Sequence, residues 1–162
     1  MLDSGVLEIK TVYPLYTAPY YPKHFIVIGA GGTGGYLIPN LARLISIMNK
    51  NRRSPHLLTI IDGDLIEPKN LTRQNFYECD IGKNKAQVMA ERASESFGID
   101  VTYIDKYLTG PNVLASYARP QGDYIPVFIG CVDNNRTRMI IYEAFKHTNY
   151  CFYIDAGKAL LA

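Results

Sequence analysis

A parallel α/β sheet with helices on both faces is the fold this sequence predicts, and three observations carry the prediction. Short apolar runs rich in β-branched residues recur along the chain, as expected for strands buried on both faces. Segments with apolar residues at helical spacing lie between them, so strand and helix signals alternate. A glycine-rich turn, Gly29-Ala30-Gly31-Gly32-Thr33-Gly34-Gly35, joins the first strand signal to the first helix signal.

Residues 1–23 precede this pattern and differ from it in composition. The stretch TVYPLYTAPYYPK holds four of the 13 tyrosines and three of the nine prolines, with no glycine. Spaced prolines forbid helix and favour an extended path, so this segment reads as an arm lying over the chain's own surface or over a partner. His24–Gly29 (HFIVIG) is the first strand. YLIPNLARLISIM then has helical spacing, with Pro39 predicted to kink the helix because it removes one backbone bond. NKNRRSPH (49–56) is a polar, basic connection, and LLTIID (57–62) is a second buried strand ending on an acid. Residues 63–81 are irregular. GKNKAQVMAERASESFG (82–98) is a helix that Gly98 is suited to stop. VTYIDKYL (101–108) alternates as a strand does. Thr109–Arg119, with Pro111 near its start, is a short helix. YIPVFIGC (124–131) is a buried strand with Pro126 near its beginning. Asp133–Thr148 is a helix that Asp133 or Asn134 can cap, and YCFYIDAG (150–157) is the last strand. Five strands with right-handed crossovers make a Rossmann-like domain over 24–162, for which the expected sheet order is 3-2-1-4-5.

Composition narrows the function. The 162 residues are 48% apolar and 20% charged, ordinary for a folded domain. Seventeen Lys and Arg against 15 Asp and Glu leave a net charge of +2. That surplus is too small to mark a nucleic-acid or anionic-membrane surface. No apolar run reaches the roughly 18 residues of a membrane helix, and the start MLDSGVLEIK carries no signal-peptide pattern. Three cysteines, Cys79, Cys131 and Cys151, are an odd number without CxxC spacing, which argues against a disulfide framework or a zinc site in this stretch. A reduced, cytoplasmic, soluble domain is the expectation.

Four signals gather chemistry. Glycines at a strand-to-helix turn let backbone N–H groups approach a phosphate at the positive end of the helix. The motif indicates a nucleotide without saying which, and a purely structural tight turn is its other reading. Asp62 ends the second strand, where an acid meets ribose hydroxyls. It lies 28 positions past Gly34, more than the usual spacing of about 20, as an insertion at NKNRRSPH accounts for. Asp64 is a second ligand or a loop carboxylate. Asn70-Leu71-Thr72-Arg73-Gln74 is followed by Lys85, which opens a helix where a cation is disfavoured unless an anion compensates it. An amide, a guanidinium and an ammonium near one glycine loop suit a triphosphate; taken singly, each also reads as solvated surface. Finally, Cys131-Val132-Asp133-Asn134 ends the fourth strand. The expected order sets it beside the first, at the crevice where ligands bind such sheets. Asp133 there can hold Mg²⁺ beside a triphosphate or serve as a helix cap.

In this order GAGGTGG, IDGDLIEPKNLTRQNF, GKNK and CVDNNRTR resemble the ThiF/MoeB adenylyltransferases, relatives of the ubiquitin-activating enzymes, over about residues 24–157. The paired NLTRQ and GxxK are more specific than the glycines. The Tyr/Pro-rich arm and the insertion resemble the ThiF-family proteins of PRTRC gene clusters. The resemblance implies ATP-dependent activation of the C-terminal carboxylate of a ubiquitin-like or sulfur-carrier protein, giving an acyl-adenylate and pyrophosphate. It implies that Gly29, Gly31, Gly32 and Gly34 cradle the nucleotide, that Asp62 holds the ribose, that Asn70, Arg73 and Lys85 contact the phosphates, and that Asp133 binds Mg²⁺. Asp64 and Gln74 join the candidate nucleotide-binding set, and Arg73, Lys85 and Asp133 are the candidate catalytic residues. A carboxylate with a pKa of about 3.5 is already a nucleophile at neutral pH, so His24, His56 and His147 are not needed as bases. The expected partners are the carrier's C-terminus and a second copy of the chain, without nucleic acid or membrane.

The chain departs from that family in three respects. No arginine precedes Arg43 to reach a neighbouring subunit's ATP, which leaves Arg52 and Arg53 as speculative substitutes. No cysteine matches an acceptor position. The C-terminal part of the family fold is expected to lie beyond Ala162. Two other function classes stay open at this stage: an NAD-binding Rossmann oxidoreductase or regulator, and a non-catalytic nucleotide-binding scaffold.

Overall fold

The computed structural model describes residues 21–117 and 124–156. Five parallel strands, β1 (Lys23–Ile28), β2 (Leu57–Ile61), β3 (Val101–Ile104), β4 (Ile125–Gly130) and β5 (Phe152–Asp155), form one sheet in the order β3-β2-β1-β4-β5. The expected order is thus the observed one. The helices are α1 (Gly32–Asn49), α2 (Lys85–Phe97), α3 (Pro111–Tyr117) and α4 (Asn135–Lys146). Of the arm expected over residues 1–23, residues 1–20 lie outside the described residues, as do the expected helix end at Arg119 and strand end at Gly157, while Lys23 already belongs to β1.

Alternation along the strands divides the core between the two faces of the sheet. Val27, Leu58, Ile60, Val127 and Ile129 pack with Ile38, Leu41 and Ile45 of α1 and with Val88, Met89 and Ala93 of α2. Ile26, Ile28, Ile61 and Phe128 point the other way, onto Leu114 of α3 and Ile141 and Ala144 of α4. Every loop at the carboxyl ends of β1, β2, β3 and β4 therefore opens at one edge of the sheet, and that edge carries the candidate site.

Helix α1 continues through Pro39, and the loop after β2 supplies the reason. Proline has no N–H to give the carbonyl of Gly35. Asn75 Nδ2 donates to that oxygen instead, at 3.2 Å. Arg92 of α2 donates to the Asn75 carbonyl at 3.0 Å, pairs with Asp80, and stacks over the Tyr77 ring at 4.5 Å. Two helices thereby fasten the irregular segment between β2 and α2. Helix α2 begins at Asn84, whose Oδ1 accepts from Gln87 N, and ends at the left-handed Gly98.

The opposite edge holds two buried histidines. His24 is 5% exposed, its Nε2 is 2.8 Å from Thr59 Oγ1, and its Nδ1 is buried without a partner. Burial lowers its pKa to about 4. His56 Nδ1 accepts from Lys23 N at 2.8 Å, and burial, with Arg52 and Lys23 nearby, lowers its pKa as well. A histidine in the unfolded chain titrates near pH 6.5, so below that pH the unfolded state takes up a proton that folded His24 refuses until about pH 4. His24's contribution is intact above about pH 6.5 and declines as the pH falls, by about 2 kcal/mol between pH 7 and pH 5. Denaturant titrations at the two pH values should show this loss in the wild type and a smaller one in His24→Gln. Equal losses in the two proteins would assign the acid sensitivity elsewhere.

Candidate functional site

The turn after β1 is held from both sides. Gly29 N donates to Ile61 O of β2 at 2.8 Å, and Cys131 N donates to Ile28 O at 2.7 Å. Gly29 has φ +97°, a conformation that side chains disfavour, and a methyl group on it would meet the Cys131 carbonyl at 2.7 Å. Helix α1 starts at Gly32 with no side-chain cap on its first amides and no acid in its first turn. Backbone donors at a helix start without a protein acceptor make an anion-binding edge.

Asp62 closes this edge from β2. Its Oδ2 accepts from Ala30 N at 2.7 Å and its Oδ1 from Asp64 N at 2.8 Å. Burial pushes its carboxyl above the usual range, against the pull of those two amides. Each carboxylate oxygen has a second lone pair, so both can still accept from a diol. Asp64 lies beyond it and answers the question raised by a cation at a helix start. Lys85, the first residue of α2, is buried, and its Nζ donates to Asp64 Oδ2 at 2.8 Å. Burial is the largest single influence on Asp64 and pushes its carboxyl up, but the Lys85 ammonium, the Tyr107 hydroxyl and the nearby Lys69 charge together hold it below the usual carboxylate range. The compensating anion for Lys85 is thus a protein group.

Residues of the NLTRQ segment take different positions. Asn70 is buried, and its Oδ1 accepts from Glu67 N at 2.9 Å, so its amide oxygen shapes the turn. Gln74 is buried beside Gly31, and its Oε1 has no partner. Arg73 sits between them, exposed, and among the described residues its guanidinium meets no hydrogen-bonding or charged partner. At the end of β4, Cys131 and Val132 abut Gly29, and Asp133 is the next residue in the chain. Asn134 caps α4, its Oδ1 accepting from Thr137 N at 2.8 Å. Asp133 is therefore not the cap, and it is exposed. Cys131 is unsuited to nucleophilic work, since burial pushes its thiol up to about 11.

Sequence reasoning passed over two residues. Asn84 Nδ2 donates to the carbonyls of Asp62 and Asp64, at 2.8 and 3.1 Å, while its Oδ1 caps α2. One side chain thereby ties the carboxyl end of β2 to the start of α2, and an asparagine just before a helix pattern is a readable signal for such a cap. Tyr107 Oη donates to Asp64 Oδ1 at 2.5 Å from the loop after β3, and no local pattern marks it.

The model of the ThiF family matches residues 22–157. A comparison with curated proteins gives no match. Among solved structures, E. coli TcdA, a tRNA N6-threonylcarbamoyladenosine dehydratase, in complex with ATP is similar at 26% identity and a TM-score of 0.65, with 84% of this chain and 51% of TcdA covered. TcdA in complex with AMP gives 25% identity and a TM-score of 0.67 over the same 84% of this chain and 50% of TcdA. E. coli MccB, in a structure with succinimide, is similar at 25% identity and a TM-score of 0.64, over 86% of this chain and 38% of MccB. The chain spans about half the length of TcdA. No helix among the described residues is long and apolar enough to cross a membrane.

Proposed function

The chain belongs to the ThiF family, and from that premise we propose that it binds ATP and transfers the adenylyl group to a carboxylate, the acceptor being the C-terminus of a ubiquitin-like or sulfur-carrier protein. The observation that carries this reading is the convergence of an uncapped helix start, the Asp62 carboxylate bonded to Ala30 N and an unengaged Arg73 at one end of the sheet. A dinucleotide oxidoreductase has no need of an unengaged Arg73 cation next to the Gln74 that backs Gly31. The binding of ATP and AMP by the TcdA relatives supports the choice of nucleotide.

In the proposed reaction a carboxylate oxygen attacks the α-phosphorus, and the bond from that phosphorus to the bridging oxygen breaks. An acyl-adenylate and pyrophosphate result. The acceptor needs no general base, since its pKa of about 3.5 leaves it ionised at neutral pH. The work of the protein is positioning and charge neutralisation. The amides of Gly31–Gly34 and the Arg73 guanidinium face the phosphates, Asp62 holds the ribose, and Gln74 backs Gly31. Lys85 lies one side chain away, its charge shared with Asp64.

Asp133 fits a role in holding Mg²⁺: it is exposed, freed from capping by Asn134, and follows directly on the two residues that abut Gly29. Among the described residues no group of three or more His, Cys, Asp or Glu could hold a metal ion. An ion bound through one carboxylate and completed by phosphate oxygens and water is the usual habit of Mg²⁺, which would supply charge neutralisation on the phosphates. Asp133→Ala is expected to fold normally and to need a several-fold higher Mg²⁺ concentration for half-maximal activity. Superimposable Mg²⁺ titrations would remove Asp133 from that role.

Pyrophosphate–ATP exchange with a candidate carrier protein tests the whole proposal, with exchange that depends on the carrier's free C-terminal carboxylate as the expected result. Thermal stabilisation by ATP·Mg²⁺ and not by NAD(H) is the binding counterpart. Preferential stabilisation by NAD(H) would overturn the proposal, and ATP binding without exchange would leave a scaffold. The relation to TcdA favours a second acceptor, because a threonylcarbamoyl group also ends in a carboxylate. Exchange stimulated by modified tRNA and not by a carrier protein would select it.

A further inference from the structure

Tyr107 is a residue of this edge that the adenylation scheme leaves without a task. It is 67% exposed, yet it is tied at two points. Its hydroxyl donates to Asp64 Oδ1 at 2.5 Å. Its ring lies against the Gly63 backbone so closely that a methyl on Gly63 would stand 2.7 Å from Tyr107 Cγ and 2.8 Å from Cδ2. The carboxyl ends of β2 and β3 are joined there as well, since Asp62 N donates to Ile104 O at 3.1 Å. An aromatic ring backed by peptide, pinned at its tip and open to solvent is the form that stacking platforms take.

Its position supplies the ligand. Gly63 separates Asp62 from Asp64, so the ring stands next to the carboxylate assigned to the ribose and on the side away from the phosphate-binding turn. With the phosphates at the glycines and the sugar on Asp62, the base has to extend toward β2 and β3. We propose that Tyr107 is the platform on which the nucleotide base stacks, an inference that rests on the nucleotide reading above. Glycine at 63 lets the ring approach the strand end closely, and the Asp64 bond keeps it from swinging out. Stacking accepts any π-face, so Tyr107 contributes affinity and not the choice among bases.

Calorimetric titration of ATP·Mg²⁺ into the full chain and four variants tests the platform. Tyr107→Phe and Tyr107→Trp should bind within about threefold of wild type. Tyr107→Leu and Tyr107→Ala should bind roughly tenfold more weakly, with unfolding temperatures unchanged because the side chain is exposed. Leucine binding as tightly as phenylalanine would overturn the platform, since bulk alone would then suffice. Phenylalanine losing as much as alanine would also overturn it, by showing that the hydroxyl tie to Asp64 is what matters. A wild-type chain that binds no ATP would bring down the nucleotide reading itself, an outcome distinct from the other two.

Discussion

Replacing Arg73 with alanine should lower carrier-dependent pyrophosphate exchange by on the order of 10²–10³ while leaving the unfolding temperature where it was. The first half follows from where the charge lies. Arg73 N donates to Asn70 O at 3.1 Å and Gln74 N to the same oxygen at 2.9 Å, so the backbone on both sides of the arginine is held. Buried Asn70 and Gln74 anchor the turn, and the Arg73 side chain is exposed between them. A guanidinium on a fixed stem can meet the charge that builds up as pyrophosphate departs without reorganising at that moment. The second half follows from exposure, because substitution of an exposed side chain without partners moves stability by no more than about 0.5 kcal/mol. Arg73→Lys should recover only part of the rate, since an ammonium cannot make the forked contact to phosphate oxygens. Exchange in Arg73→Ala within threefold of wild type would take the arginine out of the reaction.

How far this site can be read from the sequence depends on the distance between partners. The strand, glycine turn and helix from β1 to α1 are contiguous and legible, as is Asp62 at the end of a buried run. The sheet order follows from chirality and alternation and agrees throughout. The pairs that finish the site are long-range: Asn75 on Gly35, Lys85 on Asp64, Tyr107 on Asp64. None has a period or a flanking residue to announce it. Pro39 looks like a defect in a helix until Asn75 is seen to use the carbonyl it leaves free. The alternation of VTYIDKYL suggests a strand to Leu108, but β3 ends at Ile104, and the chain beyond it turns to lay Tyr107 on Gly63. The choice between Asp133 and Asn134 as cap is one residue wide, finer than propensity resolves.

The glycines of the turn look alike in sequence, and the structure separates them by their surroundings. A methyl on Gly34 would stand 1.9 Å from Gly29 O and 3.3 Å from Cys131 Cβ. Neither neighbour can retreat: Gly29 is bonded to β2 through Ile61, and Cys131 is bonded to β1 through Ile28. Gly34→Ala should therefore push α1 off the sheet and destabilise the fold by on the order of 3 kcal/mol, at the severe end of overpacking. A methyl on Gly32 meets nothing within 4 Å. Gly32→Ala should fold as well as wild type, since alanine suits a helix better than glycine, yet its methyl would occupy the space where a phosphate approaches the first amides of α1. The expected pair of results is a low unfolding temperature for Gly34→Ala, and a normal one for Gly32→Ala together with ATP affinity reduced at least tenfold. If Gly32→Ala bound ATP normally, the phosphates would have to lie elsewhere than on the start of α1. If Gly34→Ala were as stable as wild type, the turn would have to be far more yielding than its bonds to both neighbouring strands allow.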